Sequence, residues 1–133
     1  MISRGKLDAL AVVTPEDQHH PMTMAAMDAG LHALCDKALA LSADEAKAMY
    51  ERAEARDLRH LVYFTCRWMP EVRYARELVE QGAVGRLFHC ELRFFGGHGR
   101  GNAYRWRFDR RRSNGALSDM GSPTAPTPLR RSP

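Results

Sequence analysis

Three short, almost wholly apolar runs, at residues 7–13, 31–35 and 61–64, alternate with two stretches of helical apolar spacing. Strands without polar alternation belong to parallel sheets covered on both faces, not to one-sided antiparallel ones. Between the first two runs, Met22, Ala25, Ala26 and Ala29 fall at i, i+3, i+4 and i+7, and Gly30 stands where a helix would stop. Between the second and third, Ser42-Ala43-Asp44-Glu45 reads as a capping box, and Ala46, Met49, Tyr50 and Ala53 repeat the spacing. Strand, helix, strand, helix, strand predicts βαβ units: an α/β fold with a parallel sheet.

The pattern then changes. Pro70 suits a first helical position, Val72, Ala75, Leu78 and Val79 form a stripe, and Gly82 ends it. After Gly85, Phe88, Cys90, Leu92 and Phe94 alternate with His89, Glu91 and Arg93, predicting a half-exposed antiparallel strand. A domain boundary is therefore expected between residues 66 and 69. Residues 96–114 are rich in Gly and Arg and read as a long loop. Residues 122–133 hold four of the seven prolines and no aromatic residue, the composition of a disordered tail.

Charge follows the same division. Residues 1–66 carry 7 basic and 10 acidic side chains, and residues 67–133 carry 13 and 6. The longest apolar run, residues 9–13, is far short of the ~20 residues of a membrane span. The start shows no apolar stretch leading to a small-residue cleavage site, so no exported form is expected. Cys35, Cys66 and Cys90 form no CxxC pair, and all three lie in strand-like runs. They read as buried, reduced thiols of a cytoplasmic protein. The six histidines show no metal-ligand spacing beyond the His19-His20 pair, so no metal is expected.

Several motifs fall in a telling order. Thr14-Pro15-Glu16-Asp17-Gln18-His19 follows the first strand. Ala29-Gly30-Leu31-His32-Ala33-Leu34-Cys35-Asp36-Lys37 carries the second strand into a turn. Phe64-Thr65-Cys66-Arg67-Trp68-Met69-Pro70, Glu80-Gln81-Gly82-Ala83-Val84-Gly85, Trp106-Arg107-Phe108-Asp109 and Gly115-Ala116-Leu117-Ser118-Asp119-Met120-Gly121-Ser122 come next. Together they resemble the glucose–fructose oxidoreductase/inositol dehydrogenase (Gfo/Idh/MocA-type) family over about residues 7–122.

The resemblance implies an NAD or NADP cofactor and hydride transfer at a hydroxyl or carbonyl carbon of a sugar-like or polyol substrate. It also implies a homo-oligomer. Residues 1–66 would be the last strands of a Rossmann-like domain, and 67–121 the start of an α+β domain built on an antiparallel sheet. Lys37 matches the family's catalytic lysine, a cation that can hydrogen-bond the reacting oxygen. Asp119 matches the aspartate of a D-x-x-x-H element. Thr14, Pro15, His19, Asp36, Arg67, Trp106 and Arg107 are the further residues expected beside the cofactor.

The sequence departs from the family at several points. Pro123 stands where the family has its histidine, Asp36 replaces a glutamate, and Ala38 replaces a proline. The 133 residues contain no G-x-G-x-x-G turn for a pyrophosphate. Gly97-His98-Gly99-Arg100-Gly101 has the wrong spacing and opens no helix. These departures read as a fragment, inactive on its own. Two other functions are open to such a chain. Arg93 to Arg112 interleaves seven arginines with aromatic residues, a composition suited to single-stranded nucleic acid. An uncovered sheet edge would suit a non-catalytic interaction or oligomerisation protein.

Overall fold

The computed structural model describes residues 6–91, 93, 95, 97, 100, 101 and 103–121. Strand β1 (Ala9–Val12) leads through a 3-10 turn at Glu16–Gln18 into helix α1 (His19–Asp28). Strand β2 (His32–Asp36), helix α2 (Ala43–Ala55) and strand β3 (His60–Tyr63) follow. The strands form one parallel sheet in the order β1-β2-β3, with Val12 beside Cys35 and Cys35 beside Val62.

Local chemistry sets the helix ends. Gly30 takes φ 78°, which costs glycine no Cβ clash, and the Leu31 N–H reaches back to the Ala26 carbonyl at 3.0 Å. Ser42 Oγ accepts from the Glu45 N–H at 3.2 Å, while Glu45 Oε2 accepts from the Leu41 N–H at 3.0 Å. The return bond of the expected capping box thus falls one residue earlier than its usual place. Arg56 donates to the Met27 and Asp28 carbonyls at 3.3 and 3.0 Å, satisfying the C-terminal end of α1.

Both crossovers run in one direction across the sheet, and right-handed crossovers then put α1 and α2 on the same face. Val12, Cys35 and Met49 form one buried cluster, with Leu10, Met24, Leu39 and Ala40 packed against it. Met27, Ala33 and Ala53 form another, closed by Leu58. The opposite face behaves differently from expectation. Ala9 and Ala11 are exposed, Leu34 is half-buried, and Leu61 and Tyr63 are exposed. The sheet is therefore covered on one face only among the described residues, because no described element crosses the other.

A turn at Thr65–Trp68 leads to helix α3 (Pro70–Glu80), which starts on its proline as expected and ends before Gly82, at φ 79°. Its apolar stripe finds no cover: Val72 and Ala75 are exposed, and Leu78 and Val79 are only half-buried. The strand expected from Phe88 to Phe94 does not form among the described residues; Leu92 and Phe94 lie outside them. Phe88 is 97% exposed. A half-buried strand needs a ladder neighbour, and no described segment lies alongside.

The thiols also divide: Cys35 is buried, Cys66 intermediate and Cys90 exposed, so only the first packs as a small hydrophobe. No helix of the described residues is long and apolar enough to cross a membrane. The tail expected at 122–133, Pro123 with it, lies outside the described residues, as do His98 and Gly99 of the glycine-rich lookalike.

Candidate active site

Loops leaving the C-terminal ends of parallel strands are where α/β sheets bind ligands. Here two such loops are clamped together by a histidine. His19 is 1% exposed, and its Nε2 and Nδ1 lie 2.9 Å from the Thr14 carbonyl and 2.6 Å from the Ala38 carbonyl. Carbonyls only accept, so this geometry asks both ring nitrogens to donate. Burial opposes the imidazolium, but the Cys35 side chain and the two carbonyls outweigh it and push the His19 pKa up to about 9. The loop after β2 thus hangs from the loop after β1. It carries Lys37, whose backbone N–H donates to Asp36 Oδ1 at 2.9 Å and whose peptide bond to Ala38 is cis.

A distant segment returns to these loops. The Asn114 N–H donates to Glu16 Oε2 at 2.9 Å, and Asn114 Nδ2 donates to the Leu41 carbonyl at 2.9 Å. Arg112 Nε donates to Asp17 Oδ2 at 3.3 Å. Gly115, at φ 74°, then turns the chain into a short π-helical turn, Leu117–Gly121. That turn sets Asp119 on Lys37. Lys37 Nζ donates to both the Asp119 carboxylate and its carbonyl, and Arg107 Nε donates to the other carboxylate oxygen at 3.1 Å. The Lys37 and Asp119 side chains are 20% and 17% exposed. Burial opposes the Asp119 charge, yet the Lys37 hydrogen bond and charge, with Arg107 behind them, hold the carboxyl below its ordinary range. A cavity of about 530 Å³, lined by Arg107, Arg110, Asn114, Asp119 and Met120 among others, opens beside the pair.

The residues singled out in the sequence separate accordingly. Lys37, Asp119 and Arg107 meet. The Arg107 guanidinium lies 4.3 Å from the centre of the Trp106 ring. Asp36 backs Lys37. Pro15 opens the first loop, its carbonyl accepting from the Gln18 N–H at 2.9 Å. Thr14 Oγ1 is buried with no hydrogen-bond partner among the described residues. Two of the expected residues stand apart from this cluster. The His19 side chain is buried and braces two backbone loops. Arg67 is exposed and belongs to a separate groove between β3 and α3, with Phe64, Trp68 and Tyr74.

Four of the seven arginines in 93–112 face carboxylates among the described residues: Arg93 with Glu91, Arg107 with Asp119, Arg111 with Asp109 and Arg112 with Asp17. Those pairings weaken the nucleic-acid reading, since charges already paired are poor phosphate ligands. The anchors Glu16, Arg112 and Asn114 escaped notice in the sequence.

Residues 1–64 match the model of an oxidoreductase family with an NAD-binding Rossmann fold, and residues 72–123 match the Gfo/Idh/MocA C-terminal domain. Levoglucosan dehydrogenase of Pseudarthrobacter phenanthrenivorans is 34% identical over 87 residues, covering 65% of this chain and 22% of that protein. D-xylose 1-dehydrogenase (NADP(+)) of Hypocrea jecorina is 29% identical over 128 residues, covering 91% and 33%. Among solved structures, an NAD-binding protein from Listeria innocua superposes with a TM-score of 0.80 at 28% identity over 90% of this chain and 35% of that one. A levoglucosan dehydrogenase in complex with NADH and levoglucosan superposes with a TM-score of 0.77 at 28% identity, over 92% and 34%. The chain spans about a fifth to a third of the length of these relatives.

Proposed function

The chain belongs to the Gfo/Idh/MocA family of NAD-binding oxidoreductases, and on that premise we propose that Lys37 and Asp119 form the reacting centre of an NAD(P)-dependent sugar or polyol dehydrogenase. The contact between Lys37 Nζ and the Asp119 carboxylate, at the C-terminal ends of parallel strands, carries this reading.

The residues fit the nicotinamide end of the cofactor. Thr14 Oγ1 is a buried hydroxyl with no partner among the described residues, on the loop that His19 ties to the loop of Lys37. When bound, the nicotinamide supplies hydride exchange at a hydroxyl-bearing carbon. Lys37 would donate a hydrogen bond to the oxygen on that carbon and steady it as its charge changes. Asp119 holds the ammonium in place, and Arg107 holds Asp119. The cavity beside them suits a small polyhydroxylated substrate, with Arg107, Arg110 and Asn114 as donors. Residues 1–66 would be the last strands of the cofactor domain and 67–121 the start of the substrate domain, a division that the family matches over 1–64 and 72–123 support. The unpaired cysteine spacing supports a reducing compartment, the cytoplasm.

Two features of the 133 residues argue against turnover by this chain alone. They contain no G-x-G-x-x-G to hold a pyrophosphate, and Pro123, where the family has a histidine, has no proton to give. Calorimetry with NADH and NADPH, and a turnover assay over sugars and polyols, test the proposal on this chain. Affinity no better than ~1 mM and no turnover are expected. Micromolar binding or measurable turnover would overturn the inactivity of the chain. Turnover untouched by Lys37→Met would overturn the role of Lys37.

A further inference from the structure

The cavity beside Lys37 holds more positive charge than its own carboxylate answers. Asp119 is the one acidic side chain among the described residues that line it, and it is held twice, by Lys37 Nζ and by Arg107 Nε at 3.1 Å. Arg110 lines the same cavity, and its side chain makes no ion pair or hydrogen bond among the described residues. The carboxylates that its neighbours reach are already taken. Arg111 faces Asp109 at 3.3 Å, and Arg112 faces Asp17 at 3.3 Å. Lys37, Arg107 and Arg110 thus stand against Asp119 alone, which leaves a local excess of positive charge.

The donors are also held in place. The Arg107 guanidinium lies 4.3 Å from the centre of the Trp106 ring and is tied to Asp119 through Nε, so its Nη groups are the ones left to give. A guanidinium fork matches a carboxylate or a phosphate with paired N–H donors, where an ammonium acts only as a point charge. Other groups of the cavity suit hydroxyls. Ser113 is 4% exposed, and its Oγ accepts from the Gly115 N–H at 3.1 Å, leaving the hydroxyl proton to give. Asn114 spends Nδ2 on the Leu41 carbonyl at 2.9 Å and keeps Oδ1 as an acceptor. Half-exposed Phe108 offers apolar contact to the C–H face of a ring. A volume of about 530 Å³ suits a monosaccharide with a charged substituent. A neutral polyol would use Ser113 and Asn114 and leave the excess charge unanswered. Charge inside a walled cavity is screened less than on open surface, so an anionic group is favoured there.

Resting on the assignment of Lys37 and Asp119 as the reacting centre, we propose that the substrate is an acidic sugar. Its carboxylate or phosphate is held by Arg110 and Arg107, with a hydroxyl-bearing carbon at Lys37. The test is an amide-shift titration of the 133-residue chain at constant ionic strength, read at Arg110, Asn114 and Asp119. The probes are glucuronate, glucose 6-phosphate, glucose, acetate and inorganic phosphate. At least one acidic sugar is expected to saturate at about 1–10 mM, and the tighter of the two identifies the anion. Glucose and the two simple anions each lack half of the ligand and should bind about tenfold more weakly or worse. Arg110→Gln should weaken the acidic sugar about tenfold and leave glucose unchanged. Arg111→Gln, which removes an arginine already paired with Asp109, should change neither. Glucose binding as tightly as the acidic sugars would overturn the charge requirement and leave the dehydrogenase reading standing. Acetate or phosphate binding as tightly would also overturn it, by showing an anion site with no use for a sugar. So would equal effects of the Arg110 and Arg111 substitutions. A cavity that takes no sugar of either kind would overturn both readings.

Discussion

The backbone N–H of Asn114 donates to the carboxyl of Glu16 at 2.9 Å across 98 residues of sequence. Glu16 is 2% exposed, so this bond is made away from water, where an unmade bond is costly. It fastens the segment that carries Asp119 to the loop after β1.

Glu16→Ala should therefore destabilise the chain by roughly 1–3 kcal/mol, the range for stranding a buried polar group. Glu16→Gln keeps an acceptor and should cost less than half as much. Urea unfolding gives both numbers. Hydrogen exchange at the Asn114 amide should speed up in the alanine variant alone.

His19 makes stability depend on alkaline pH. Its folded pKa of about 9 stands above the ordinary value of 6.5, so its contribution is complete below about 6.5 and is lost as pH rises through about 9. The difference corresponds to roughly 3 kcal/mol at ~1.36 kcal/mol per unit. Unfolding free energy should fall across that window, and His19→Gln should remove this slope. A slope of the same size in the variant would show that other groups cause it.

Asp119 acts at the acid end with the opposite sign. Its folded pKa lies below the ordinary 3.8, so its contribution is present above that value and lost as pH falls through the lower, folded one. Asp119→Asn should cost roughly 1–3 kcal/mol near neutrality by leaving Lys37 without its charged partner. It should also flatten the acid limb. A direct carboxyl titration by NMR checks the direction.

Arg67 supplies a contrast. It is exposed and lines the groove between β3 and α3, so Arg67→Ala should change stability by no more than about 0.5 kcal/mol. Amide shifts at Lys37 and Asp119 should stay unmoved. A perturbation there would restore Arg67 to the site.

How far the sequence could be read depended on the distance over which each feature is decided. The three parallel strands and their helices were legible because apolar runs, Gly30 and the Ser42 cap act within a few residues. Lys37 and Asp119 stand 82 residues apart and were connected only through the order of the surrounding motifs. Nothing local announced that Glu16 would accept from Asn114. The bracing role of His19 was not legible because a polar residue in a ligand-lining turn looks the same whether it faces the ligand or braces the turn from inside. No strand forms among the described residues from Phe88 on, because alternation specifies one face of a strand but cannot provide its hydrogen-bonding neighbour.

The proposed function assigns these residues the nicotinamide end of a dinucleotide site, without a G-x-G-x-x-G turn for the pyrophosphate. The most direct measurement is an amide-shift titration of the 133-residue chain with nicotinamide mononucleotide in one series and ADP in another. Saturable shifts with the nicotinamide ligand are expected, centred on Thr14, Asp36, Lys37 and Asp119 and abolished by Lys37→Ala, with no saturable site for ADP. Saturable ADP binding at the strand ends, or nicotinamide shifts that avoid Lys37 and Asp119, would contradict it.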